Sequence, residues 1–228
     1  SEDLELSAIS AHAFGTSSPF NMESLRSYFK RSLNDKLTDT SRVVRALYGL
    51  SSYDNELILT KVQSLKSEWS LNLKDKVFVA LTLSSLGAKE EAREYYNQSI
   101  RPSIKTSSGY SYVGGLKGDE TIITTALVAA LTAELEDDIS DSLNQYVRNN
   151  QPSQTLSSLE QLLYIKAKWP KLSSENVSFA YTTSAKNESP TLKDGQNYKI
   201  VLSPEELKTF TLTNVTGKLG VTAVYESA

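Results

Sequence analysis

The sequence has no cysteine, one histidine, one methionine and two tryptophans in 228 residues. Without cysteine there are no disulfides, no thiolate nucleophile and no cysteine metal site. The lone histidine, His12, excludes a multi-histidine metal centre, and any catalytic triad would have to run through it. We expect it to be structural or at the surface. No run approaches the roughly 18 apolar residues of a membrane helix, and no signal peptide is visible. The chain opens on "SEDLELSAISAHAF", already helical in pattern, which suggests a fragment of a longer protein; the missing leader then says nothing of compartment. Basic excess is also missing. The net charge of −3 and pI near 5.4 argue against a general nucleic-acid binder.

What is present is a long helical pattern followed by a short strand-like one. Up to about Trp169 apolar residues recur at helical spacing: Met22, Leu25, Phe29 and Leu33; Val43, Val44, Leu47 and Leu50; Leu57, Ile58, Val62 and Leu65 behind an N-cap at Asp54. "NLKDKVFVALTLSSLGA" ends on Gly87, where a helix C-terminus favours glycine. "DETIITTALVAALTAEL" is apolar all round at its centre and predicts a helix buried on several sides. Apolar helices alternate with charged ones at intervals of about 40 residues, the signature of stacked helical hairpins. The fold class expected is mostly α with a C-terminal β part. Residues 1–170 would form an α/α toroid, or part of one, and residues 171–228 a small antiparallel β-domain. Four strands are expected there, around Val177–Tyr181, Tyr198–Leu202, Phe210–Leu212 and Leu219–Tyr225, with turns in "LKDGQ" and in "TNVTGKLG", which contains Gly217.

Candidate chemistry is sparse. "YSYVGGLKGDE" places Tyr110, Tyr112, Gly114, Gly115 and Asp119 before the most apolar helix. Lys117 precedes Gly118, and no Ser or Thr follows, so this is not a Walker loop. Two readings stay open: a connector between helices with Asp119 as N-cap, or a loop whose tyrosines face a ligand. Asp137 and Asp138 read as acids favoured at the start of a helix, as do Glu90 and Glu91. Trp69 and Trp169 are expected to pack at element ends. Asn97, Asn176, Asn187 and Asn214 lie in glycosylation sequons that matter only in a glycosylating host.

Three stretches resemble successive helical hairpins of bacterial alpha-2-macroglobulin-like proteins: "SRVVRALYGLSSYDNELILTKVQSL", "LKDKVFVALTLSSLGAKEEAREYY" and "SYVGGLKGDETIITTALVAALTAEL". "SQTLSSLEQLLYIKAKWPK", with Gln154-Thr155 ahead of it, resembles the closing helix of their toroid, and "VSFAYTT" onward resembles the β-segment that follows. Terpenoid cyclases and prenyltransferases share the architecture. The resemblance implies an extracellular, cell-surface or periplasmic setting. It also implies partners among other domains of the parent chain, proteases or cell-surface polymer. The family's thioester needs a cysteine, the prenyltransferase zinc needs cysteine and histidine, and "EDD" at 136–138 departs from the cyclases' acidic motif. No family catalytic residue therefore carries over, and no cofactor is expected. The leading expectation is a non-catalytic structural or protease-engaging part. The alternatives are a toroid enzyme using Asp119, Glu120 or Asp138, and a glycan or cell-wall binding module.

Overall fold

The computed structural model describes residues 2–15, 21–34, 39–53, 56–107, 109–151, 153, 156–168, 176–192, 198–217 and 219. The chain is mostly helical with a small antiparallel β part, and it divides into two compact units, Ser1–Lys168 and Trp169–Ala228. The first contains α1 (Glu2–Phe14), α2 (Met22–Asn34), α3 (Thr40–Leu50), α4 (Glu56–Leu65), α5 (Leu73–Ser85), α6 (Lys89–Ser99), β1 (Ile104–Ser107), β2 (Tyr110–Val113), α7 (Asp119–Glu134), α8 (Ile139–Asn150) and α9 (Ser158–Lys168).

The packing follows from where the apolar residues lie. The odd-numbered helices contact one another in a cycle, α1 on α3, α3 on α5, α5 on α7, α7 on α9, and α9 back on α1. The even-numbered helices pack outside: α2 on α3, α4 on α3 and α5, α6 on α5, and α8 on α7. The division tracks sequence. α7 buries almost every residue from Thr121 to Ala133, whereas α8 buries only Ser140, Leu143 and Val147. Leu4, Ile9, Leu47, Phe78, Leu81, Leu127 and Leu131 are fully buried and belong to one cluster contributed by four of the five ring helices. Each such side chain contributes about 1.5–3 kcal/mol on burial.

Helix ends are set by local chemistry. Asp39 accepts the Arg42 backbone N–H at 2.7 Å and starts α3. Asn72 and Asp75 form a capping box on α5. α5 stops as its glycine predicts: Gly87 takes φ +84°, its N–H donates to the Ser84 carbonyl, and the Ala88 N–H donates to Leu83. The same pattern ends α7 at Glu136, at φ 61°, with the Asp137 N–H donating to Thr132.

The second unit contains β3 (Val177–Thr182), β4 (Asn187–Glu188), β5 (Thr191–Leu192), α10 (Pro204–Thr209) and β6 (Thr211–Thr216). β3 is central and pairs antiparallel with β4, β5 and β6. Pro190 separates β4 from β5, since proline lacks the ladder N–H, though its carbonyl still accepts the Phe179 N–H. Two expectations need correction, and one helix was not expected. Residues 198–202 are not a strand. Residues 204–209 form a helix, begun by a Ser203–Glu206 capping box and Pro204 at its first turn. Thr213–Thr216 belongs to β6 and not to a turn, with a bulge at Asn214, φ 53°. Asp54, Trp169, most of "LKDGQ" and the run from Val221 to Tyr225 lie outside the described residues.

Candidate functional site

The ring of odd helices ends in two polar rims. At one end Arg45 Nε pairs with Glu5 Oε2 at 2.7 Å and Arg45 Nη1 with Asp75 Oδ1 at 2.6 Å. Ser41 Oγ donates to Asp75 Oδ2 at 2.7 Å, and Lys74 Nζ bridges Glu5 at 3.0 Å and Glu120 at 3.1 Å. These residues come from the first two turns of α1, α3, α5 and α7, so the N-termini of those helices share one end. Arg45 and Asp75 are 6% and 1% exposed, so both charges depend on these partners. Burial alone would lower the Arg45 pKa, but its bonds to Glu5 and Asp75 outweigh that and raise it. Glu160 of α9 is buried, and its carboxyl is pushed up by burial, with Glu5 adding repulsion and Lys74 partly offsetting it.

At the opposite end stand His12, Tyr48, Ser51, Ser84, Ser85, Glu134 and Lys166, from the C-terminal turns of all five ring helices. The His12 ring stacks on Tyr48 at 4.0 Å and 7°. Its Nε2–H donates to the Tyr48 carbonyl at 2.7 Å, and Ser51 Oγ donates to the same oxygen at 2.7 Å. Lys166 Nζ donates to the His12 carbonyl at 2.6 Å and closes the α1–α9 seam. His12 and Ser51, 3.1 Å apart, therefore both spend protons on one acceptor. A general base would instead have to accept the serine's proton, so this pair is not arranged as nucleophile and base. Burial pushes the imidazole pKa down to about 4, the Tyr48 carbonyl opposing and Lys166 reinforcing.

The sequence-predicted loop is a β-hairpin, not a plain helix connector. β1 pairs with β2 antiparallel, Ile104 opposite Val113 and Lys105 opposite Tyr112, around Gly109 at φ 82°. A strand thus does precede Gly114-Gly115, contrary to the helix–loop–helix expectation; the alternation in "IKTSSGYSYV" and its Ser-Gly turn were the signal. Ser111 and Val113 face inward, and the Val113 N–H donates to Thr125 Oγ1 at 3.0 Å. Tyr110 and Tyr112 share the outer face, where Tyr112 stacks on Tyr146 of α8 at 5.0 Å. A side chain at Gly114 would meet Lys105 Cδ at 2.6 Å, and Gly115 has φ +84°. Asp119 is the first residue of α7 and not its N-cap: Gly118, at φ 52° and without a side chain, holds the cap position. The Asp119 carboxylate acts there only through the helix dipole.

The other acids do not converge. Asp119 and Asp138 are exposed, and Glu120 is tied to Lys74. The 16 residues of α7, roughly 24 Å of helix, separate Glu120 from Asp138. Asp137, not Asp138, accepts the Ile139 N–H at 3.1 Å. Trp69, expected to pack, is 93% exposed. Gln154-Thr155 lies outside the described residues. Among the described residues there is no group of acids and histidine suited to hold a metal ion, and no helix long and apolar enough to cross a membrane. Two open polar grooves lie on the helical unit, one of about 410 Å³ between α8 and α9 and one of about 170 Å³ between the end of α4 and α6. Neither a known protein family nor a curated protein matches the chain.

Proposed function

We propose that this chain is a non-catalytic structural and protease-engaging part of a bacterial surface or envelope protein of the alpha-2-macroglobulin-like type. It works beside other domains of a longer chain, outside the cell membrane. The observation that supports this most is the cyclic packing of five helices on one buried cluster that includes Leu47, Phe78, Leu81 and Leu127. A toroid enzyme holds its substrate in such an interior. Here the apolar side chains are fully buried, and the charged groups on the rim neutralise one another. The charges thereby tie neighbouring helices together, a role in keeping with a scaffold.

Size-exclusion chromatography with an inactivated serine protease and an inactivated metalloprotease tests the reading. Co-elution with one of them is expected. Release of pyrophosphate from a prenyl diphosphate by the purified chain would overturn it in favour of an enzyme.

A further inference from the structure

The larger groove lies between α8 and α9, on the outside of the helical unit, and no part of the scaffold reading uses it. It is lined by Asp141, Asn144, Gln145, Arg148, Asn149 and Tyr164. Its volume of about 410 Å³ is in the range of small-ligand sites, roughly 300–1,000 Å³. The lining specifies a kind of ligand. Asn144, Gln145 and Asn149 are carboxamides, each both donor and acceptor. A sugar hydroxyl or acetamido group has the same dual character, whereas an anion needs donors in excess. The charges in the groove nearly balance: Asp141 pairs with Lys168 at 2.9 Å, and Arg148 adds one cation.

The aromatic positions fit a ring-shaped, amphipathic ligand. Tyr164 is held in place because its hydroxyl donates to Asp141 Oδ1 at 2.5 Å. Positions 141, 145 and 149 follow one another at four-residue spacing and form a strip along α8. Ser142 and Tyr146 lie on the neighbouring strip, where Tyr146 stacks on Tyr112. The polar strip is therefore bordered by Tyr164 on one side and the Tyr112–Tyr146 pair on the other. We propose that this surface binds a neutral glycan chain, with Asn144, Gln145, Asn149 and Arg148 bonding its hydroxyl or acetamido groups between the bordering tyrosines, Lys168 Nζ lying 5.7 Å from the Tyr164 ring centroid.

The test is NMR on the ¹⁵N-labelled full chain, titrated with a tetramer of N-acetylglucosamine and, separately, a tetramer of glucose. At least one should shift the side-chain amides of Asn144, Gln145 and Asn149 saturably, with a dissociation constant of about 1 mM or tighter. Gln145→Ala with Asn149→Ala should weaken that binding at least tenfold at unchanged melting temperature, since alanine suits an exposed helical position. Three results would overturn the proposal: no saturable shift with either tetramer, shifts confined to other residues, or equal shifts with inorganic phosphate. None of these touches the scaffold reading, which the protease experiment decides separately.

Discussion

Acid should unfold this protein through its one histidine. In the unfolded chain His12 titrates near 6.5, and in the fold burial holds it down to about 4. The folded state thus resists a proton that the unfolded state takes up. His12 contributes full stability above pH 6.5 and loses it as pH falls toward 4. Integrating between those two values, stability falls by about 2 kcal/mol from pH 7 to pH 5 and by about 3 kcal/mol at pH 4. The structural cost is concrete: a charged imidazole would sit beside Lys166, in a seam that Lys166 itself closes on the His12 carbonyl. Urea unfolding at pH 7 and pH 5 measures the loss, with His12→Phe as reference because phenylalanine keeps the stack on Tyr48 but cannot titrate. Carboxylates with lowered values, Glu91 by its bond from Lys66 and Glu206 by its cap bond at Ser203, also lose stability in acid, but they do so in both proteins and cancel in the difference. Being the only histidine, His12 gives one assignable imidazole signal for a direct NMR titration. A value near 6.5, or equal pH slopes in the two proteins, would refute the reasoning.

Gly49→Ala should destabilise by about 1–3 kcal/mol through overpacking, because a Cβ there would lie 2.6 Å from the fully buried Phe29 ring; thermal melts should show a smaller loss when Phe29→Leu is already present. Arg45→Met should cost about 3–5 kcal/mol by leaving Asp75 buried without its ion pair, read from urea midpoints. Thr124→Val should stabilise by about 1 kcal/mol, since the Thr124 hydroxyl is fully buried with no hydrogen-bond partner among the described residues; calorimetry should show a higher melting temperature.

The helical layers were legible because a buried helix and a half-buried one differ in composition. α7, apolar all round, lies in the ring, and α8, with one apolar stripe, lies outside it. The Gly87 stop was legible because only one residue type takes φ +84° without strain. The β1–β2 hairpin was missed because four-residue strands leave a weak period, and helical segments on both sides invited a single reading across it. The short α10 was missed for a related reason. Its six residues include a single leucine, too few for any period to show, and the Ser-Pro-Glu-Glu start is the helix signal. The polar rims lay beyond reach: Arg45 is 40 residues from Glu5 and 30 from Asp75, and only closure of the ring brings them together.

The two rims differ in how they hold the ring together. At the N-terminal rim the ties are ion pairs between helices, α1 to α3 and α5, α3 to α5, and α5 to α7. Removing one partner there leaves a buried charge, so that rim is costly to open. At the C-terminal rim the ties are neutral or singly charged: a stacked ring, serine hydroxyls at 2.7 Å, and Lys166 on a backbone carbonyl. The neutral bonds contribute about 1 kcal/mol each and the charged one about 1.5–3 kcal/mol, and they are lost one at a time. The α1–α3 contact should therefore open from its C-terminal end, around His12 and Tyr48, before the N-terminal end held by Glu5 and Arg45 separates. Hydrogen exchange at mildly acidic pH should show amides of the last turns of α1 and α3 exchanging ahead of those at the start of α5. The opposite order would mean that the ion pairs do not hold the ring.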